Sequence, residues 1–216
     1  MAPSQDRERG GGDRITLVLG AGGARGLAHI GVIEVLEESG YEIAAVSGTS
    51  MGALIGGIYA MGRLETYRDW VCALEQTDVM RLLDLSFDQR GLFKGERIIR
   101  VLKEMIGDAD IETLPLPFTA VATDLDSQRE VWFNRGPLFD AIRASIAIPT
   151  IFTPHEYRGM SLVDGGLVNP VPVPPTFNDA TDLVVAVSVN GRPARTPPLP
   201  PARRPALTGR LEEYRE

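Results

Sequence analysis

Twice in its N-terminal part the chain repeats one pattern, in which a short apolar strand runs into a glycine turn and then a helix. Arg14–Leu19 is brief, apolar and β-branched, as a buried strand should be. It enters Gly20-Ala21-Gly22-Gly23-Ala24-Arg25-Gly26, after which Leu27, Ile30, Ile33 and Leu36 recur at helical spacing until Gly40 stops them. Ile43–Val46 is the second strand, Gly48-Thr49-Ser50-Met51-Gly52 the second turn, and a second helix runs to Tyr59 or Ala60. This β-α-β-α order predicts an α/β fold on a parallel sheet. The 20 uncharged residues from Ile43 to Gly62 have the length of a membrane span. Ser47, Thr49, Ser50 and five glycines interrupt that run and favour strand, turn and helix.

The middle of the chain is more helical, with amphipathic stretches at Leu64–Gln76 and Gly95–Ile106. Between them Val79–Phe93 carries four leucines and two phenylalanines that suit either a lid over a lipid or ordinary packing. Phe118–Thr123 reads as a buried strand with Glu130–Phe133 paired beside it, and Leu138–Ser145 as a helix ended by Ile148-Pro149. Ser161–Val163 leads into Asp164-Gly165-Gly166, and Leu183–Val189 is a last apolar strand.

Three segments follow from composition. Residues 1–13 are polar and Gly-rich with no apolar leader, a flexible tail; residues 14–191 form the domain. Residues 192–216 carry six prolines and six arginines against three glutamates, a solvated tail. The net charge of −7 argues against a nucleic-acid partner. A lone cysteine, Cys72, fits a reducing compartment. No Cys/His cluster offers a metal site.

The chemistry lies in the turns. Gly48-Thr-Ser50-Met-Gly52 matches G-x-S-x-G, the sharp strand-to-helix turn that lifts a serine clear of a sheet, with glycines where side chains would clash. The alternative is a plain helix-packing turn. The Gly20–Gly26 loop is a poor dinucleotide site, because Arg25 stands where the G-x-G-x-x-G spacing needs glycine. It suits an oxyanion hole better, with the N–H groups of Gly22, Gly23 and Arg25 as donors, the alternative being a turn with no ligand. The Arg25 side chain would anchor the loop or attract an anionic head group. A general base is less obvious. Neither histidine follows Asp164, so a Ser-Asp-His order built on Asp164 fails. His29 falls inside a helix, where packing is its ordinary role, and His155 reads as surface. Asp164 is by default a turn former; a desolvated carboxylate there would also serve as base for Ser50.

These residues together resemble one family. Gly20-Ala-Gly-Gly-Ala-Arg25-Gly26 with the following Leu-Ala-His-Ile-Gly is similar to the oxyanion loop of patatin-like phospholipases, Gly48–Gly52 to their nucleophile elbow, and Asp164-Gly-Gly166 to their aspartate motif. The motifs come in the family's order. Ala144-Ser-Ile-Ala-Ile-Pro149 and the strand Ala120–Asp124 also resemble bacterial members, and the likeness extends over about Ile15–Asn190. After the last strand bacterial members commonly continue with helical sequence, whereas this chain enters its Pro/Arg segment.

The resemblance implies a three-layer α/β/α sandwich around a mostly parallel sheet, and a lipid acyl hydrolase with a Ser50–Asp164 dyad. It implies no metal and no organic cofactor. The expected enzyme is a cytoplasmic phospholipase A or esterase acting on a lipid or acyl ester, open to peripheral membrane contact. Its rival is a non-catalytic regulatory or interaction protein that keeps the fold.

Overall fold

A computed structural model describes residues 13–75, 78 and 93–191. Both terminal tails, and the apolar stretch from Val79 as far as residue 92, lie outside the described residues. The elements are β1 (Arg14–Leu19), α1 (Ala28–Glu38), β2 (Glu42–Thr49), α2 (Met51–Ala60), α3 (Leu64–Ala73), α4 (Glu96–Ile106), β3 (Phe118–Asp124), β4 (Arg129–Phe133), α5 (Leu138–Ser145), β5 (His155–Tyr157), β6 (Met160–Asp164) and β7 (Leu183–Val187). They build a mixed α/β fold whose seven-stranded sheet runs β5-β6-β3-β2-β1-β7, with β4 also on β3. Strands β7, β1, β2 and β3 are parallel; β4 and β6 oppose β3, and β5 opposes β6. The fold is the expected one, a mostly parallel sheet flanked by helices.

The pleat sorts the two faces. On one, Leu19, Val46 and Phe118 meet α2 so closely that the helix presents Gly56 to them. Gly57 does the same for Leu138 and Ile142 of α5. These residues share one core with Leu17, Ile33, Ile55, Ile58 and Leu102. On the other face the strands offer hydroxyls. Ser47 donates to the Pro172 carbonyl at 2.9 Å and Thr49 to the Asn169 carbonyl at 3.0 Å. Thr16 lies 3.2 Å from an Asp179 carboxylate oxygen. All three side chains are buried, and they bind residues 165–182, the strap that connects β6 to β7. The strap winds into 3-10 turns at Gly165–Leu167 and Pro174–Thr176. An irregular segment over a sheet has backbone groups to satisfy, and the strand hydroxyls supply partners.

Several boundaries differ from the sequence reading. β2 runs on through Ser47, Gly48 and Thr49 because these residues pair with Thr119, Ala120 and Val121 of β3. Ile43–Gly62 is therefore strand, turn and helix, and no helix among the described residues is long and apolar enough to cross a membrane. A 3-10 turn at Gly23–Leu27 precedes α1, α3 stops at Ala73, and β7 stops at Val187. β7 is an edge strand, so its Leu183 and Val184 are about half exposed. The segment around His155 forms a strand that sequence reading missed. It makes a hairpin with β6 through Arg158-Gly159, both at positive φ (49° and 80°), the two-residue turn that suits strand twist.

One arrangement fixes the site. β2 occupies Phe118–Val121 of β3 and β6 occupies Ala122–Asp124, while β4 overlaps both along Ala120–Asp124. β4 therefore holds one edge of β3, and β2 and β6 run toward each other along the other edge. They meet where Thr49 faces Val121 and Asp164 faces Ala122. Glycines make room at this junction. A Cβ on Gly165 would lie 2.2 Å from the Val121 carbonyl oxygen, and one on Gly52 2.0 Å from that of Leu19. Gly52→Ala should lower the Tm by several degrees or prevent folding, since backbone cannot yield as a flexible side chain does. Gly31→Ala, whose Cβ meets open space on the exposed side of α1, should raise the Tm by roughly 2–4 °C, the gain expected when a helical Gly becomes Ala. Thermal unfolding of the two variants checks this pair; equal shifts would contradict it.

Candidate active site

Ser50 sits between the end of β2 and the first turn of α2 with φ 58° and ψ −126°, a conformation that costs a non-glycine residue energy. Its carbonyl accepts from the Ala53 and Leu54 N–H groups. Its hydroxyl donates to Asp164 Oδ2 at 2.5 Å, and both residues are buried. The other carboxylate oxygen, Oδ1, accepts the Gly166 N–H at 2.7 Å. The Asp164 backbone is held too, N–H to the Ala147 carbonyl at 3.0 Å and C=O from the Thr123 hydroxyl at 3.1 Å. One carboxylate oxygen therefore caps a turn while the other faces the serine. Burial pushes its carboxyl above the ordinary 3.8, against the opposing pull of the Ser50 and Gly166 hydrogen bonds.

The glycine loop lies against this pair. Gly20 N–H donates to Val187 O at 3.0 Å and Ala21 N–H to Pro170 O at 2.8 Å, so β7 and the strap anchor the loop's base. A Cβ on Gly26 would strike Met51 Cγ at 2.4 Å, and one on Gly22 would strike Val189 Cγ2 at 2.1 Å. The loop is thus wedged between the elbow and the end of β7. Gly23 has φ 52°, and the N–H groups of Gly22, Gly23 and Ala24 have no partner among the described residues. The Arg25 N–H donates to the Gly22 carbonyl at 3.2 Å.

The Arg25 side chain anchors rather than projects. Its Nη2 donates to Asn190 Oδ1 at 2.7 Å, and Asn190 Nδ2 donates to the Ala21 carbonyl at 2.8 Å. Asn190 and the Ala24 amide are site features that sequence reading missed. Nothing local marks them: the asparagine lies 169 residues from the loop carbonyl that it clasps.

Neither histidine is hydrogen-bonded to Ser50 or Asp164. His29 is fully buried, with Nε2 2.8 Å from the Gly20 carbonyl. A carbonyl only accepts, so Nε2 carries the proton, and burial lowers the pKa to keep the ring neutral. His155 is not the surface residue expected. It is partly buried on β5, stacked on Tyr157, and burial together with the nearby Arg143 charge lowers its pKa. Among the described residues no group of three His, Cys, Asp or Glu side chains could hold a metal. Just past the aspartate in sequence, Leu167 and Val168 stand 58% and 48% exposed.

Known proteins resemble this chain in family and in fold. The profile of the patatin-like phospholipase family matches residues 17–177. An uncharacterized NTE family protein of Mycobacterium tuberculosis is 49% identical over 194 residues, which are 89% of this chain and 54% of that protein. The chain thus spans about half the length of that relative. Human patatin-like phospholipase domain-containing protein 6 is 35% identical over 84% of this chain and 14% of its own length. Drosophila melanogaster neuropathy target esterase sws is 30% identical over 84% of this chain and 13% of its own. The crystal structure of VipD from Legionella pneumophila superposes with a TM-score of 0.53 at 16% identity, over 72% of this chain and 46% of that one, a likeness of fold. With its three glycine and aspartate motifs gathered at one sheet junction, the chain belongs to the patatin-like phospholipase family.

Proposed function

We propose that this protein is a serine-dependent lipid acyl hydrolase, a carboxylic ester hydrolase of the phospholipase A or esterase type. The 2.5 Å hydrogen bond from Ser50 Oγ to a buried Asp164 carboxylate carries the reading. Ser50 Oγ attacks the ester carbonyl and its proton passes to Asp164 Oδ2. The oxyanion is met by the Gly22 and Gly23 N–H groups, with the N–H of Ala24, unpaired among the described residues, and that of Arg25 once it leaves the Gly22 carbonyl, as further donors. Each such donor is typically worth about 10²–10³ in rate. Collapse expels the alcohol, which takes the proton from Asp164. A water deprotonated by the same carboxylate then attacks the acyl-serine, and collapse releases the fatty acid as Asp164 returns the proton to Ser50 Oγ. The desolvation that raises the carboxyl pKa makes Asp164 a better base than a solvated aspartate. Leu167 and Val168 would receive the acyl chain or touch a membrane surface peripherally.

Ser50→Ala should abolish p-nitrophenyl ester hydrolysis and covalent labelling by a fluorophosphonate. Asp164→Asn should lower turnover by about 10² or more, in the range of general-base contributions, without lowering the Tm. The sign follows from linkage. A raised native pKa means that the folded state binds the proton more tightly than the unfolded chain, so stability falls as pH climbs from 3.8 to the native value and stays lower above it. The amide escapes that cost. Initial rates and thermal melts test both statements. A folded His29→Gln or His155→Gln protein as inactive as Ser50→Ala, beside an active Asp164→Asn, would replace the dyad with a Ser–His pair.

The pH profile tests the same carboxylate independently. kcat/KM should fall on the acid side as Asp164 takes up a proton, with a midpoint above 3.8. A midpoint at or below 3.8, or an acid limb that disappears in either histidine variant, would contradict the assignment.

A further inference from the structure

The last residue of α5, Ser145, is fully buried and its hydroxyl makes two hydrogen bonds. One runs to the Ser50 N–H at 2.8 Å and the other to the Val121 carbonyl at 2.6 Å. The direction of each is forced. A carbonyl only accepts, so the Ser145 proton points at Val121, and a lone pair of Oγ receives the Ser50 amide. Val121 is the β3 residue opposite Thr49, the last residue of β2. The hydroxyl therefore spans the gap at the point where β2 leaves the sheet, between the first amide of the elbow and the strand it departs from.

We propose that Ser145 is a positioning residue for the nucleophile, clamping the strained Ser50 backbone to β3 so that Oγ stays aimed at Asp164. The inference rests on the hydrolase reading above and adds a residue to that site. Three observations support it. Ser50 holds a positive φ of 58° that the chain would relax if it could. Its carbonyl is fixed by the first turn of α2, but its N–H has the Ser145 hydroxyl as its partner. Asp164 is attached to the same strand segment, opposite Ala122, the neighbour of Val121, so the clamp references nucleophile and base to adjacent residues of one strand. A corollary concerns the oxyanion. With its N–H turned to Ser145, Ser50 does not supply its own amide to the tetrahedral intermediate, and the burden falls on the glycine loop.

The test compares wild type with Ser145→Ala and Ser145→Thr, the latter keeping a hydroxyl. Ser145→Cys, which keeps the volume and weakens both bonds, replaces the alanine variant if that one does not fold. Hydrogen exchange followed by NMR reads the clamp without reference to activity. Protection of the Ser50 amide should fall about 100-fold or more in Ser145→Ala, while the Ile55 and Ile58 amides of α2 keep theirs. Ester hydrolysis reads the consequence: kcat should fall about 10–100-fold, the scale of a small misplacement of reacting groups, with KM within about threefold. Ser145→Thr should recover most of that loss. Retained Ser50 protection, a loss of protection spread evenly through α2, or a kcat within about threefold of wild type would overturn the clamp. A wild-type protein that neither hydrolyses esters nor takes up a fluorophosphonate would instead defeat the hydrolase reading, and the exchange result would still decide whether Ser145 holds the Ser50 amide.

Discussion

Two strands compete for one edge of β3, and the candidate site is the outcome. β2 climbs that edge as far as Val121 and β6 descends it as far as Ala122. Neither can continue without colliding, so both chains turn out of the sheet at adjacent rungs. What each carries at its end, a serine on one and an aspartate on the other, is brought to 2.5 Å by backbone pairing rather than by a chosen side-chain reach. The same collision explains the glycines. Gly48, Gly52 and Gly165 each lie where a Cβ would stand within 2.4 Å of a backbone atom, because two turning chains and two helices converge on one point. Glycine there costs conformational entropy on folding, offset by the core on the helical face.

Polar groups inside this junction divide into those that hold and one that is held at a cost. Thr16, Ser47, Thr49, Thr123 and Ser145 are buried hydroxyls, each with a hydrogen-bond partner. They fix the strap, the elbow and the aspartate. Asp164 is the exception, since its burial penalises the charged form. A carboxylate kept basic and desolvated beside a strained serine is poor for stability and apt for proton transfer, the trade commonly found where function opposes stability.

Local signals were legible in the sequence and distant ones were not. The elbow turn could be read because a strand, G-x-S-x-G and a helix are contiguous, and the Asp164 turn because an aspartate stands directly before two glycines. The Arg158-Gly159 hairpin was missed, since arginine is not the residue usually found at a positive φ in that turn. β2 was read short because Gly48 and Thr49 look like turn residues, and only their pairing with Ala120 and Val121 makes them strand. The exposure of β7 depends on its being an edge, which an apolar pattern does not reveal. Ser145 lies 95 residues from the amide that it binds and Asn190 lies 165 from Arg25. A single hydroxyl or amide at such a distance leaves no periodicity to read.

The central claim is that Ser50 is an activated nucleophile facing an oxyanion hole made by the glycine loop. A crystal structure of the protein after reaction with a fluorophosphonate tests it most directly. The account predicts phosphorus bonded to Ser50 Oγ, with the phosphoryl oxygen within about 3 Å of the Gly22 and Gly23 nitrogens, as an oxyanion hole requires. An adduct on another residue, or a phosphoryl oxygen turned away from the loop, would contradict it.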